Sequence, residues 1–163
     1  MIVLRTGIPW WEAVAASRAA DMELPGYAKR WALAVDDEGC AYLHNLIGPD
    51  QPYLHDHPWS FKSHILSGGY VEVIHDHNRV QEVSQRHVSG SVLHRSSDFM
   101  HFISHVEPNT WTLVVTGPRI KEWGFYVATE WMHFKDFYDS SHNDRPAPIF
   151  RNGYEGGGIH RPV

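Results

Sequence analysis

From Tyr27 to Ala128 the chain is a succession of short β-like runs separated by turn residues, with almost no room for an interior helix. Arg30 to Val35 and Ala41 to Ile47 flank Asp36-Asp37-Glu38-Gly39, a plausible hairpin turn. Gly48-Pro49-Asp50-Gln51-Pro52 reads as a loop delivering the chain into Tyr53 to His57. Phe61 to Ser67 and Tyr70 to Ile74 are joined by Gly68-Gly69, the strongest hairpin signal in the sequence. Further runs cover Val80 to Val88, Ser91 to Arg95, His101 to Val106, Thr110 to Thr116 and Glu122 to Ala128. Eight or more short strands at this spacing predict an all-β sandwich or barrel.

The flanks read differently. Residues 9–20 predict a helix, with Pro9 suited to a first turn and alanines carrying little entropic cost; Pro25-Gly26 breaks any regular element beyond it. The helix either packs on the main body or docks its aromatic residues on a partner. Trp131 to Tyr138 predicts a short helix or a last strand. Residues 139–163, with Arg145-Pro146-Ala147-Pro148 and Gly156-Gly157-Gly158, predict an extended arm that is loose or drapes over a neighbour. The expected organisation is therefore an N-terminal helical segment, 1–26, a β-barrel, 27–138, and a tail, 139–163.

A chain of 163 residues suits one domain that removes roughly 70% of its unfolded surface from water. A formal charge of −5 with no lysine or arginine block excludes a dedicated nucleic-acid binder. The single cysteine, Cys40, excludes an internal disulfide framework and a four-cysteine zinc site. The N-terminus is neither a signal peptide nor a span of about 20 apolar residues, so no membrane association and a cytoplasmic location are expected.

Within this frame, Leu54-His55-Asp56-His57-Pro58-Trp59 stands out among 13 histidines. Side chains alternate along a strand, so His55 and His57 share a side and both imidazoles can address one ion. The blocks His55-Asp-His-Pro-Trp with Gly68-Gly-Tyr, Trp111-Thr-Leu with Thr116-Gly-Pro-Arg, and Trp123-Gly-Phe are similar to small bacterial and phage members of the cupin superfamily. That family's first motif carries a glycine, His-x-His, a glutamate and a second glycine. His55, His57 and Gly68-Gly69 fall at those distances, Gly48 lies one place from the first glycine, and the glutamate slot holds Phe61 or Lys62. In the second motif, counting from Gly90 puts His101 at the histidine, with Ser96, Asp98 and His105 where proline, glycine and asparagine are usual.

The resemblance implies an all-β fold, a single cupin (RmlC-like) double-stranded β-helix barrel, with His55, His57 and His101 as metal ligands. It further resembles the three-histidine site of cysteine dioxygenase-like cupins. A divalent transition metal is implied, Fe(II) favoured, with Ni, Zn, Mn or Cu also suited to imidazole. The implied function is a non-haem Fe(II)-type dioxygenase acting on a small molecule; the alternatives are a non-catalytic binder of a sugar or acid, or a sugar epimerase or isomerase. A homodimer is the expected assembly.

A further ligand depends on strand parity. With Gly68-Gly69 as a two-residue turn, Ser63, Ile65, Tyr70, Glu72 and Ile74 share one face, and His64, Leu66, Val71, Val73 and His75 the other. The first face inward makes Glu72 the additional ligand; the second, favoured by its apolar neighbours, makes it His64. His75-Asp76-His77 repeats the first tripeptide but reads as a solvated turn beside Asn78-Arg79. His44 lines the cavity or fills the core. Trp59, Tyr70, Tyr53 and Trp123 are pocket-wall or core candidates, and Arg95, Arg30 and Arg119 are holders of an acid group or solvated surface cations.

Overall fold

The structure, a computed structural model, describes residues 7–76 and 81–151, with Asp76 as backbone only. Helix α1 (Trp10–Ser17) precedes β1 (Met22–Leu24), β2 (Ala28–Asp36), β3 (Gly39–Leu46), β4 (Phe61–Ser67), β5 (Gly69–Asp76), β6 (Gln81–Val88), β7 (Val92–Arg95), β8 (His101–Val106) and β9 (Thr110–Thr116). Then come β10 (Gly124–Val127), β11 (Glu130–His133), α2 (Phe134–Asp139) and β12 (Ile149–Phe150). The expected hairpin of β2 and β3 forms, and its turn is held by Asp36 Oδ1, which accepts from the Glu38 and Gly39 amides. Trp131 to Tyr138 is both alternatives in succession, strand and then helix.

One layer is a seven-stranded sheet in the order β12-β1-β2-β3-β9-β4-β7. The other contains β6-β5-β8 and the pair β10-β11. His55 stitches these together by bridging His101 of β8 and Phe125 of β10, so residues 54–56 act as the missing strand of the second layer. Ala28, Leu46 and Ile65 of the first layer pack against Tyr70 and Ile103 of the second. The seven-stranded sheet is also covered on its outer face. Trp31, Leu43 and Trp111 lie there in one cluster with Trp11, Val14 and Ala15 of α1, so the helix packs on the body of its own chain. A sheet covered on both faces explains why Leu43 and Leu46 of β3, on opposite faces, are both buried.

Gly68-Gly69 is not a hairpin. β4 pairs with β7 and β9, while β5 pairs with β6 and β8, so the glycines carry the chain across the corner from one layer to the other. Gly68 has φ +66°, and a Cβ there would collide with Thr110 Oγ1 and Cα. Thr110 Oγ1 in turn accepts from the Gly69 amide and donates to the Gly69 carbonyl. Gly68→Ala is expected to cost at least about 2 kcal/mol of folding stability, from a left-handed backbone and an overpacked corner together. Urea unfolding of the variant checks this; a loss below about 0.5 kcal/mol is the range of an innocuous surface change and counts against it.

The tail is not loose over its described part. Ile149 and Phe150 pair with Glu23 and Met22 of β1 at the sheet edge. Arg145 Nη2 donates to the Pro49 carbonyl, Gln51 Nε2 to Asn143 Oδ1, and Arg151 Nη1 to Glu23 Oε1. Strand β1 likewise joins the sheet across Pro25-Gly26. His77, Asn78, Arg79, Val80 and the stretch with Gly156-Gly157-Gly158 and His160 lie outside the described residues.

Candidate metal centre

The three histidines meet for reasons visible in the backbone. His55 and His101 exchange both N–H···O bonds, at 3.0 and 3.1 Å, so they are directly opposed across an antiparallel pair and project to one face. His57 comes two residues later and projects the same way. The intervening Asp56 points to the opposite side, where it is 4% exposed and accepts from the Gly124 amide and from Lys121 Nζ, each at 2.8 Å. This carboxylate pins the His-x-His segment to β10. Asp56→Ala is expected to cost about 2–4 kcal/mol, because a buried amide and an ammonium lose their acceptor together. Chemical denaturation measures it; a cost under about 1 kcal/mol leaves Asp56 no such role.

One donor nitrogen from each of His55, His57 and His101 lies within 4.8 Å of the other two. The Nε2 atoms of His57 and His101 face one another at 3.2 Å. Metal–imidazole bonds of about 2.1 Å put neighbouring ligand nitrogens about 3–4 Å apart, so the group has the dimensions of a three-imidazole site. Two tautomers are set from outside. His101 Nδ1 lies 2.5 Å from Glu72 Oε1, and an ionised carboxylate only accepts, so Nδ1 carries a proton and Nε2 is the nitrogen turned toward the group. His55 Nδ1 lies 3.3 Å from the Tyr53 carbonyl, which leaves its Nε2 free by the same logic. Burial lowers the His55 pKa, and burial with the neighbouring His101 and His55 holds His57 well below the ordinary histidine range. Neutral imidazoles are what a divalent cation requires.

Glu72 is 1% exposed, on the inward face with Ser63, Ile65 and Tyr70, so the first parity is the one realised. Alternation sorts the residues within each strand, while the hairpin pairing that was to join the two strands does not form, and the inward face is the one with the charge. The apolar residues beside His64 serve the outer side of the sheet instead, where Leu66 packs on the Trp31–Trp111 cluster. His64 itself is away from the centre, paired with Val92 and Leu113. Nor is Glu72 part of the three-histidine group. Oε1 faces His101, while Oε2 accepts from Arg95 Nη2 at 2.7 Å and from His87 Nε2 at 2.8 Å. Burial disfavours the charged carboxylate, yet the hydrogen bonds and charges of His101 and Arg95 outweigh it and hold the group at about 2. Glu72 thus orients a neighbour rather than pointing into the centre.

Beside the histidines lies a cavity of about 360 Å³, lined by residues of both sheets. His44, Trp59, Tyr70 and Trp123 line it, as does Arg30. Arg95 does not; it sits behind His101, bound to Glu72 and stacked 4.2 Å from the Phe99 ring centroid. Arg119 pairs with Glu122, and Tyr53 packs on Phe137 and His142. Three contributors carried no signal in the sequence. Asp50 brings Oδ2 to 3.6 Å from His55 Nε2, Arg145 arrives from the tail, and His87 supports Glu72 from β6. Arg145 and His87 become visible only when distant segments are brought together, whereas Asp50 lies five residues before His55.

No protein-family model matches the chain, and no curated protein matches it. Solved structures do. The DMSP lyase DddQ from Ruegeria pomeroyi DSS-3 matches with a TM-score of 0.50 at 16% identity, over 85% of this chain and 63% of its own. Recombinant oxalate oxidase in complex with glycolate matches with a TM-score of 0.51 at 14% identity, over 67% and 60%. An RmlC-like cupin from Shewanella frigidimarina NCIMB 400 gives 0.46 at 17% identity, over 61% and 83%. The matched region spans less than two thirds of the first two proteins, and identities this low speak for the fold. With two facing sheets joined at a glycine corner, the chain has the cupin-type fold that it shares with the DMSP lyase and the oxalate oxidase.

Proposed function

We propose that the chain is a metal-dependent enzyme that holds one divalent transition metal, Fe(II), on His55, His57 and His101 and oxidises a small molecule in the adjoining cavity with dioxygen. The observation that carries the reading is the convergence of three buried imidazoles, two of them tautomerically fixed with Nε2 directed inward. A metal bound there supplies Lewis acidity and, as Fe(II), reactivity toward dioxygen. Glu72 holds the His101 ring in place, and the Tyr53 carbonyl does the same for His55. Trp59, Phe61, Trp123, Phe125 and Phe134 line the cavity and exclude water from the reacting end. Asp50, beside His55, is placed to accept a proton from a bound substrate.

Elemental analysis of protein purified without added metal tests the first step. About one equivalent of a transition metal is expected, removable by chelator and restored by Fe(II). Less than about a tenth of an equivalent, unchanged after Fe(II) addition, rejects the site. Oxygen consumption by the Fe(II)-loaded protein with thiols, diketones and carboxylic acids tests the second. Full metal loading without oxygen uptake removes the oxidative reaction and keeps a metal-dependent lyase or isomerase.

A further inference from the structure

The cavity is not electrically neutral. Among the described residues, the charged side chains that line it are Arg30, Arg145 and Asp50, an excess of one positive charge before any metal is counted. The arginines do not come from the histidine side. Arg30 lies on β2 directly opposite His44 on β3, so both project from the seven-stranded sheet, whereas His55 and His101 belong to the other layer. The Arg30 guanidinium stacks 5.0 Å from the centre of the Tyr42 ring. Its neighbour His44 has a buried Nε2 without a hydrogen-bond partner among the described residues. Arg145 spends Nη2 on the Pro49 carbonyl, at 2.7 Å, while its Nη1 is buried and has none.

Arginine stays protonated when buried, and a buried polar atom left unpaired is costly, so His44 and Arg145 are suited to a bound ligand. We propose that Arg30, His44 and Arg145 form an anion subsite that holds the carboxylate of a small organic acid, with the rest of the acid extending across the cavity toward the three histidines. Arg145 Nη1 and His44 Nε2 are placed to make the hydrogen bonds, and the Arg30 guanidinium adds its positive charge. The aromatic walls suit an apolar body, and about 360 Å³ is at the small end for ligand sites. The inference deepens the functional reading above and rests on it for the reaction, while the subsite itself is open to test without the metal. It also gives the tail a task, since Arg145 reaches the cavity only because that segment docks on the sheet.

The test is a binding comparison by tryptophan fluorescence, for which Trp59 and Trp123 are reporters, and by calorimetry. Phenylacetate, 3-phenylpropionate, hexanoate and glutarate are each measured against their neutral amides, on metal-loaded and chelator-treated protein. At least one acid is expected to bind about tenfold or more tighter than its amide in both forms. Arg30→Met is expected to erase that margin while leaving the amide within about twofold, and His44→Gln to reduce it. Acids binding no better than amides, or no acid binding at all, overturns the subsite. A preference confined to metal-loaded protein also overturns it, because the metal and not Arg30 would then hold the acid. The wild-type comparison decides the matter even if Arg30→Met does not fold. Metal content is measured in parallel; a wild type that takes up no Fe(II) when it is supplied, yet still prefers acids, sinks the enzyme reading and keeps the subsite.

Discussion

Glu72→Gln is expected to lower metal affinity about 10–100-fold and to destabilise the fold by about 3–5 kcal/mol. The two losses share one origin. The carboxylate is the common acceptor for His101, His87 and Arg95, and the latter two side chains are only 12% and 15% exposed. Glutamine keeps the volume and one acceptor oxygen but turns its amide toward a donor, leaving the Arg95 charge short of a counter-ion and freeing the His101 tautomer. Metal titration of the folded variant measures the first effect and urea unfolding the second. The sign of the pH dependence is set by the depressed carboxyl. A group whose folded pKa lies near 2 contributes its stability above the ordinary carboxylate range and loses it as pH falls toward 2. The stability gap between wild type and Glu72→Gln should therefore be widest near neutrality and narrow below about pH 4.5. A gap that is flat from neutral to acid pH would show that the ion pairs at Glu72 do not act as described.

The second large effect is on the metal itself. His101→Ala is expected to abolish stoichiometric loading, leaving less than about a tenth of an equivalent, because two imidazoles without a third do not close a site against water. His101 is also the cross-strand partner of His55, but its backbone bonds survive the substitution, and the fold should be retained by circular dichroism. His64→Ala is the matched control and should keep full loading, since His64 is away from the centre. Equal metal content in wild type and His101→Ala would place the metal elsewhere.

Much of the architecture is legible in the chain because it is local. β8 and β9 have the limits that their apolar runs suggest, and the turn between β2 and β3 is written in Asp36 and Gly39. His55 and His57 share a side by simple alternation, which needs no tertiary information. The glycine corner shows the limit. Gly68-Gly69 announces a tight reversal, but the same pair serves a hairpin or a step between sheets, and the difference depends on Thr110, about forty residues away.

The sequence by itself determined the β-rich architecture, the shared face of His55 and His57, and the alternation within each strand of Ser63 and Ile65 against His64 and Leu66, and of Tyr70 and Glu72 against Val71 and Val73, because each comes from a period-two backbone. Only the tertiary structure decided which of those faces is inward. An apolar face is the natural choice for a core when one side meets water, but α1 buries the outer face of the seven-stranded sheet as well, so apolar residues are needed on both sides. The inner face was then free to carry charge, provided each charge met a partner. Glu72 meets His101, His87 and Arg95 there, and Arg30 and Arg145 enter the cavity from opposite ends of the chain. Pairing at such separation leaves no mark on local sequence, since the energy that selects it exists only once the two layers close.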